Sequence, residues 1–339
     1  MKKWLRRIAL SVVALLLAVV VAGAGYEFLG RRSATRDFPP PGALVDIGGR
    51  RIHVDCRGAG SPTVVLVSGL DINGALAWSA VHDSLAATSR TCAYSRAGIM
   101  WSDPSPDPVT GKGVADDLHA ALTKAGEQAP FVMVGHSLGG PYIMTYTKYY
   151  GDEVAGLVMV DASHPEQMQR MAKIAPAAGD PESALGPIKI ASALSWAGVA
   201  RLATSLTPRM PNQSEASAQA SSAYSTQSLP GALKEMMALG AIFDEAGTFR
   251  QLGDRPLYVL TAMRPLGAAE LTALKLTPEK GKDFKALWKA MHDEEASWST
   301  RSQHVSLDDA SHYVQFDRPD VVIKAVRSVV DSVRVAPTP

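Results

Sequence analysis

The sequence predicts an α/β fold: a doubly wound, mostly parallel sheet of eight strands, with helices on both faces and a helical insertion. Three observations predict it. A strand-like hairpin comes first, and the strands that follow alternate with amphipathic helices. The alternation stops at about residue 166 and resumes at about residue 250, where strand, helix, strand and helix follow in turn. The strands are continuously apolar, as expected of a sheet covered on both faces.

The N-terminal residues differ in kind from the rest. An uncharged run of 18 residues, Ile8 to Gly25, follows four basic residues, Lys2, Lys3, Arg6 and Arg7. Such a run is long enough to cross a bilayer, and the basic end is expected to stay inside. We therefore expect a transmembrane anchor or signal peptide over residues 1–30, with the remainder exported. Residues 22–24, Ala-Gly-Ala, also fit a signal-peptidase site, so a cleaved, secreted or periplasmic protein is the alternative.

Residues 31–42, "RRSATRDFPPPG", are polar and then proline-rich, which predicts a linker. The folded domain is expected over residues 43–335. It begins with two strands around Gly48-Gly49, a turn typical of hairpins. A buried strand over residues 63–71, a helix over 78–89, a strand from Arg90 and a helix from Val114 to Ala125 follow in order.

The segment "VMVGHSLGGPYIM", residues 132–144, carries the main candidate for chemistry. A short buried strand ends at Gly135, and a helix starts near Pro141, where the missing N–H of proline costs nothing. Between them, G-x-S-x-G is the spacing of a nucleophile elbow, in which small residues allow a sharp bend that lifts the hydroxyl of Ser137 above the sheet. A plain Gly-Ser-Gly turn has the same spacing, so the pentapeptide needs support from its surroundings.

Residues 166–250 are rich in alanine, serine and methionine and predict a helical cap inserted after the strand that ends at Asp161. Its methionines indicate an adaptable apolar pocket or, alternatively, simply the core of the cap; they are Met168, Met171, Met210, Met236 and Met237. The last elements are a strand "RPLYVLTA", a helix over residues 282–299, a strand that begins at His304 and an amphipathic helix from Pro319.

The composition argues against a nucleic-acid partner. The chain has 339 residues, 46% of them hydrophobic and 20% charged, with a formal net charge of +1. Basic residues are scattered beyond the N-terminus, and no zinc-finger, Walker or Rossmann spacing occurs. No metal or organic cofactor is expected, and nothing in the sequence specifies an oligomeric state.

Four segments in this order resemble the α/β-hydrolase superfamily: "VVLVSGLDINGALAW", "CAYSRAGIMWSDP", "VGHSLGG" and "SHYVQFDRPDVVIKAV". The resemblance covers nearly all of residues 43–335. The N-terminal anchor, "FPPPG", the paired cysteines and "VDASHPEQ" further resemble a group of bacterial membrane-anchored or exported hydrolases. The resemblance implies that Ser137 is a nucleophile, which needs an imidazole to take its proton.

Among eight histidines, the resemblance selects His312, in the loop before the last helix, as the base. His136 is expected to shape the elbow, and His292 and His304 are expected to be structural or exposed. The acid departs from the commoner pattern, since the loop after "YVLTA" offers only Glu270. Other members place the acid one strand earlier, where Asp161 stands; we expect Asp161, with Glu270 as the alternative.

The resemblance also implies an oxyanion hole formed by the backbone N–H groups of Leu70 and Leu138. Ser68 stands where relatives usually carry histidine, a change that leaves the backbone donor in place. In this fold the second and fourth strands are neighbours, so a disulfide between Cys56 and Cys92 is expected.

The function implied is an exported serine hydrolase that cleaves a small-molecule carboxylic ester with an apolar acyl or aromatic group. Epoxide hydrolases and haloalkane dehalogenases on this fold use an aspartate nucleophile, whereas this elbow carries serine. Acyl transfer, amide cleavage and carbon–carbon bond hydrolysis use the same triad and remain alternatives. So does a ligand-binding or sensing module that turns over slowly.

Overall fold

A computed structural model describes residues 2–176 and 181–335, and the side chains of all of these except residues 181–184. It contains one sheet of eight strands in the order β1-β2-β4-β3-β5-β6-β7-β8. Strand β2 runs antiparallel to both of its neighbours, β1 and β4, and all other pairs are parallel. The predicted mostly parallel, eight-stranded sheet is confirmed. Its strands are β1 (Ala43–Asp46), β2 (Arg51–Arg57), β3 (Thr63–Val67), β4 (Thr91–Ser95), β5 (Phe131–His136), β6 (Val154–Val160), β7 (Leu257–Ala262) and β8 (Ser302–Leu307).

Thirteen α-helices occur in the part of the chain that is described. They are α1 (Lys2–Asp37), α2 (His82–Ala86), α3 (Gly111–Lys124), α4 (Gly139–Tyr149), α5 (Gln167–Met171), α6 (Pro181–Ala193), α7 (Val199–Ser205), α8 (Glu215–Met237), α9 (Leu239–Ala246), α10 (Ala268–Leu274), α11 (Pro278–Ala296), α12 (Val314–Asp317) and α13 (Pro319–Val335). Helices α5 to α9 lie between β6 and β7, within the stretch where a cap was expected.

The sheet has an apolar core on each face. Helices α3 and α4 pack on one face through residues such as Leu118 and Ile143, and α2 and α13 cover the other. In α13 the buried side chains recur every three or four residues, which places them on one side of the helix: Val322, Ala325, Val326, Val329 and Val330. Because helices cover both faces of the sheet, side chains can form a cleft only at the ends of the strands.

The strand order reverses between β3 and β5. The chain passes from β3 to β4 on one side of β3 and then crosses to β5 on its other side. Ligands of open α/β sheets bind at the carboxyl ends of strands beside such a point. The loop after β3 begins with Ser68, and the loop after β5 begins with Ser137. The topology therefore places these two loops side by side.

The expected linker over residues 31–42 is shorter than predicted, because α1 continues to Asp37. Residues 31–37 contain neither glycine nor proline, so nothing interrupts the helix until the prolines begin at residue 39. Ala34 is buried against Ile99, Trp101 and Tyr224. The packed part of the molecule therefore begins before residue 43.

Cys56 of β2 and Cys92 of β4 are directly opposite each other in register and form a disulfide. The bond joins the antiparallel strand β2 to the parallel part of the sheet. It closes a loop with a sequence separation of 36 residues.

Candidate active site

Ser137 occupies a sharp turn between β5 and α4. Its φ is +51°, a left-handed conformation that side-chain-bearing residues rarely adopt. The glycines two positions away make the turn feasible. A Cβ on Gly135 would lie 2.5 Å from the carbonyl oxygen of Gly139, and a Cβ on Gly139 would lie 2.3 Å from that of Val67. The G-x-S-x-G segment thus has the close backbone contacts and the strained serine of a nucleophile elbow.

The loop after β3 contacts this turn directly. A Cβ on Gly69 would lie 2.8 Å from the Cβ of Ser137, so only glycine fits at that position. The next residue is Leu70, and Leu138 follows the serine. Among the described residues, neither Leu70 nor Leu138 has an acceptor for its backbone N–H. Two unpaired donors therefore lie on the two segments that meet at Ser137.

Arg96 fixes the loop that contains Gly69 through hydrogen bonds to its backbone carbonyl groups. Its guanidinium is buried and donates to the carbonyl oxygens of Ser68, at 2.7 Å, and Gly69, at 2.5 Å. In a trans peptide the C=O and the following N–H point in opposite directions, so the N–H of Leu70 points away from Arg96. Glu235 of cap helix α8 pairs with the same guanidinium at 2.6 Å. A buried ion pair thus connects the cap to the orientation of this N–H.

Asp161 and His312 are brought together from positions 151 residues apart. Asp161 follows β6 with a φ of +43° and is almost fully buried. Its Oδ2 lies 2.7 Å from Nδ1 of His312, in the loop between β8 and α12. The His312 side chain is 41% exposed, so its ring extends from the buried Asp161 carboxylate to the solvent-accessible surface at the carboxyl ends of the strands. This leaves Nε2 as the ring nitrogen not committed to the acid.

The second oxygen of Asp161 is also satisfied. Oδ1 accepts hydrogen bonds of 2.8 Å from the backbone N–H of Ala262 and from the indole N–H of Trp288. Burial alone would raise the pKa of Asp161. The bond to His312, its charge and the Trp288 N–H outweigh burial and hold the pKa of this carboxyl below its usual range. Asp161 is therefore an ionised acceptor at neutral pH.

Glu270, the alternative acid, lies elsewhere. It is exposed on α10, and its carboxylate accepts the backbone N–H of Gly267 at 2.7 Å, in a helix-capping arrangement. The structure brings Asp161, and not Glu270, to His312. Asp309, close to His312 in sequence, pairs instead with Arg318 at 2.7 Å.

His136, beside Ser137, supports the loop that carries His312. Its Nε2 donates to the backbone oxygen of His312 at 2.8 Å, and the two rings are 4.8 Å apart. Burial, and then the nearby His312, lower the pKa of His136 to about 3. The ring is therefore neutral at physiological pH, and its role is the structural one expected from the sequence.

The sequence of residues 64–325 matches the alpha/beta hydrolase family. This match spans well over half of the chain. The chain belongs to the alpha/beta hydrolase family. Membership supports an enzyme that acts on a small-molecule substrate.

Solved structures agree on the fold of this α/β hydrolase. An esterase from Thermogutta terrifontis is 21% identical with a TM-score of 0.54, covering 84% of this chain and 94% of the esterase. An enol-lactonase from Burkholderia xenovorans is 18% identical with a TM-score of 0.58, covering 86% of this chain and all of the lactonase. An epoxide hydrolase is 18% identical with a TM-score of 0.57, covering 86% and 98%. At these identities the likeness shows the fold alone.

Curated relatives match over shorter stretches. The uncharacterized protein YbdG of Bacillus subtilis is 26% identical over 166 residues, 49% of this chain and 51% of its own length. A probable transporter of Hormonema carpetanum, efuK, is 33% identical over 136 residues, 38% of this chain and 19% of its own length. The hydrolase thus spans about half or less of the curated relatives it matches.

Two site residues of the hydrolase were missed as such by sequence reasoning. The sequence assigns no role to Trp288 and predicts His292 to be structural or exposed. Trp288 donates to the Asp161 carboxylate, and Nδ1 of His292 lies 3.9 Å from the same carboxylate. His292 also donates from Nε2 to Ala162 O at 2.8 Å. A signal was available, because residues four apart in a helix share a face. That face of α11 carries the two aromatic rings.

One group of ligand-type atoms occurs among the described residues, formed by Cys56, Cys92 and Glu127 within 4.8 Å of one another. The two sulfurs are bonded to each other, and Glu127 pairs with Arg90. Cysteine binds a metal ion as a thiolate, which a disulfide does not provide. This group is therefore not a metal site in the oxidised chain.

Proposed function

We propose that this chain is a serine hydrolase that cleaves carboxylic esters through an acyl-enzyme. Ser137 Oγ attacks the ester carbonyl while His312 Nε2 takes the hydroxyl proton, and the C–O bond breaks as His312 returns that proton to the leaving alcohol. Water, deprotonated by His312, then releases the acid and restores Ser137. Asp161 orients the His312 ring and stabilises its charged form.

The observation that carries the proposal is the 2.7 Å contact between His312 Nδ1 and Asp161 Oδ2. This bond fixes the tautomer in which Nε2 is the free base of the ring. The unpaired N–H groups of Leu70 and Leu138 supply donors for the charge that develops on the carbonyl oxygen. The esterase and the enol-lactonase among the structural neighbours are named for ester-bond substrates, which favours this reaction class.

For the substrate, we propose an ester with an apolar acyl or aromatic group. The support is compositional: methionines of the cap adapt to varied apolar shapes. Met171, however, is buried against Trp288 and Met291 and so belongs to the core of this region. A series of p-nitrophenyl esters of increasing acyl length, with kcat/KM rising from the acetate to longer chains, tests this preference. A maximum at acetate contradicts it.

The reaction itself is tested by labelling with a fluorophosphonate, followed by peptide mass spectrometry and ester turnover. We expect the label on Ser137, steady turnover in the wild type and loss of both in Ser137→Ala. Labelling without turnover contradicts the hydrolase and favours the slow sensing module. Absence of labelling contradicts a nucleophilic Ser137.

We also propose that the domain is exported and that α1 stays attached as a membrane anchor. The 18-residue window of α1 has a mean hydropathy of 2.7 and is not buried by the rest of the protein. The disulfide is of the kind that persists in oxidising compartments. The intact mass of protein extracted from membranes tests both points. Loss of residues 1–24 contradicts the anchor, and free thiols on Cys56 and Cys92 contradict export.

A further inference from the structure

The N-terminal helix α1 packs against the cap and forms a buried ion pair with it near the end of the apolar segment of α1. A Cβ on Gly23 would lie 2.3 Å from Ala197 O, so the helix backbone touches the cap turn at that point. One helical turn later, Glu27 is buried and pairs with Arg201 of α7 at 2.8 Å. Thr226 of α8 donates to the same carboxylate at 2.6 Å. The cap is thus held at a fixed position relative to the end of the apolar segment.

Beside this junction the cap exposes six large apolar side chains, which we name the cap patch. Each is between 46% and 75% exposed: Ile190, Leu194, Trp196, Val199, Leu202 and Leu206. The patch is continuous with α1, because Ala197 and Gly198, which touch Gly23, lie between Trp196 and Val199 in the chain. A water-exposed apolar surface of this kind marks an interaction site.

The arrangement of the patch suits a flat apolar partner. Val199 and Leu202 of α7 and Leu206, the helical C-cap residue that follows it, recur at spacings of three and four and therefore share one face. Trp196 is 50% exposed at the turn before it. Tryptophan is enriched where protein meets the headgroup level of a bilayer. Tyr26 and Phe28, which follow the apolar segment of α1, are also exposed aromatic residues near the same level.

We propose that the cap patch docks on the lipid bilayer that α1 crosses, so that α7 lies in the interface beside the anchor. The bilayer is the expected partner because it lies next to the patch. A bilayer that surrounds residues 8–25 has its surface near Gly23, and the cap patch flanks the residues that touch Gly23. An amphipathic helix in this position buries its apolar face at the boundary between headgroups and acyl chains. The proposal rests on α1 as an anchor and not on the ester-cleaving reaction.

Docking brings the bilayer close to the candidate site. Leu206 ends the patch, and six residues later Asn212 donates to the backbone oxygen of Phe316 at 2.7 Å. Phe316 lies in α12, which begins two residues after His312. Six residues span at most about 20 Å, so the surface of the bilayer lies within that chain length of the His312 loop.

The test uses the full chain with a spin label on one added cysteine, since both native cysteines are in the disulfide. The protein is reconstituted at no more than one chain per vesicle of phosphatidylcholine with one fifth phosphatidylglycerol. Labels are placed at Leu202→Cys, at Val13→Cys within the apolar segment, and at Asp152→Cys as the control. Asp152 is exposed just before β6, at the opposite end of that strand from the cap. Collision rates with oxygen, which dissolves in lipid, and with a water-soluble nickel chelate are then measured.

We expect the labels at positions 202 and 13 to have oxygen-to-nickel ratios severalfold above that at position 152. High nickel access at 202 with high oxygen access at 13 overturns the docking while leaving the anchor intact. Low access to both reagents at 202 means that the patch is buried against protein, which overturns the bilayer as its occupant. High nickel access at 13 overturns the anchor and the docking together. Ester turnover in the same vesicles is read separately and does not decide the proposal.

Discussion

Trp288 donates its indole N–H to the Asp161 carboxylate at 2.8 Å. The bond comes from a helix that follows the cap, and it satisfies the oxygen of Asp161 that does not face His312. It therefore contributes to holding the acid ionised and correctly oriented.

Replacing Trp288 with phenylalanine keeps most of the ring and removes this donor. We expect the pKa of Asp161 to rise and kcat for ester hydrolysis to fall by about tenfold with little change in KM, since one charge-assisted bond contributes roughly 1.5–3 kcal/mol. The pH profile of kcat measures the effect. Trp298→Phe, at a buried tryptophan beside His164, is the matched control and should retain wild-type kcat. Equal losses in both variants would indicate that Trp288 acts only through packing.

The two candidate acids are separated by a pair of substitutions. Asp161→Asn preserves shape and removes the charge that fixes the His312 tautomer, so kcat should fall by about 10⁴, as in other triads. Glu270→Gln, on exposed α10, should change kcat by less than about twofold, because surface changes have small effects. Steady-state kinetics on one p-nitrophenyl ester decide the matter. The reverse pattern would show that Glu270 reaches His312 in the working enzyme.

The ion pair between Arg96 and Glu235 predicts that the cap influences the chemical step. Glu235→Gln leaves the buried Arg96 without a charged partner and should loosen its hold on the carbonyls of Ser68 and Gly69. We expect kcat and the rate of fluorophosphonate labelling to fall at least tenfold, because one misaligned oxyanion donor costs up to 10²–10³.

Loss of stability accompanies this change, since breaking a buried pair costs about 3–5 kcal/mol. Kinetics are therefore measured below the unfolding temperature of the variant. Glu127→Gln, which breaks the partly buried Arg90 pair, is the control for stability without contact to the site. If both variants lose kcat in proportion to stability, Arg96 does not position the Leu70 N–H.

Asp71, next to Leu70, predicts an unusual dependence of stability on pH. Burial raises the pKa of Asp71 to about 6, against the lowering effects of Arg96 and of the N–H groups of Asn73 and Gly74. Between about pH 4 and 6 the folded state binds more protons at Asp71 than the unfolded state does, so this residue lowers the free energy of unfolding as pH rises. The penalty is complete above about pH 6.

Asp71→Asn removes that penalty and keeps an oxygen acceptor. We expect the variant to exceed the wild type in free energy of unfolding by roughly 2–3 kcal/mol at pH 8 and to match it near pH 4, since one pKa unit corresponds to about 1.4 kcal/mol. Urea unfolding of both proteins at each pH measures the difference between the variant and the wild type. Contributions from the buried histidines cancel in this difference, because both proteins contain them. A difference independent of pH would mean that Asp71 titrates normally.

The amino-acid sequence predicted the sheet and the elbow at Ser137, because these depend on local apolar runs and on glycine spacing. The resemblance added that the second and fourth strands are neighbours. It also ordered Asp161 before Glu270 from the position of a strand end. The sequence did not predict that α1 continues to Asp37. Residues 31–37 contain no helix breaker, but the contacts of Ala34 and Glu27 that hold this helix in place are with residues far away in the chain. The contacts of Trp288 with Asp161 and of Arg96 with Glu235 were not predicted, because these partners are also far apart in the chain.

What the sequence by itself determined is therefore the class of fold. For the proposed reaction, the G-x-S-x-G spacing indicated Ser137, and the family resemblance implied Asp161 and His312 from their places after strands. The tertiary structure alone decided which oxygen of Asp161 faces His312, which groups satisfy the other oxygen, and how the cap reaches the Gly69 loop through Arg96 and Glu235. Hydrogen bonds of this kind join residues more than a hundred positions apart, and no local pattern encodes such distances.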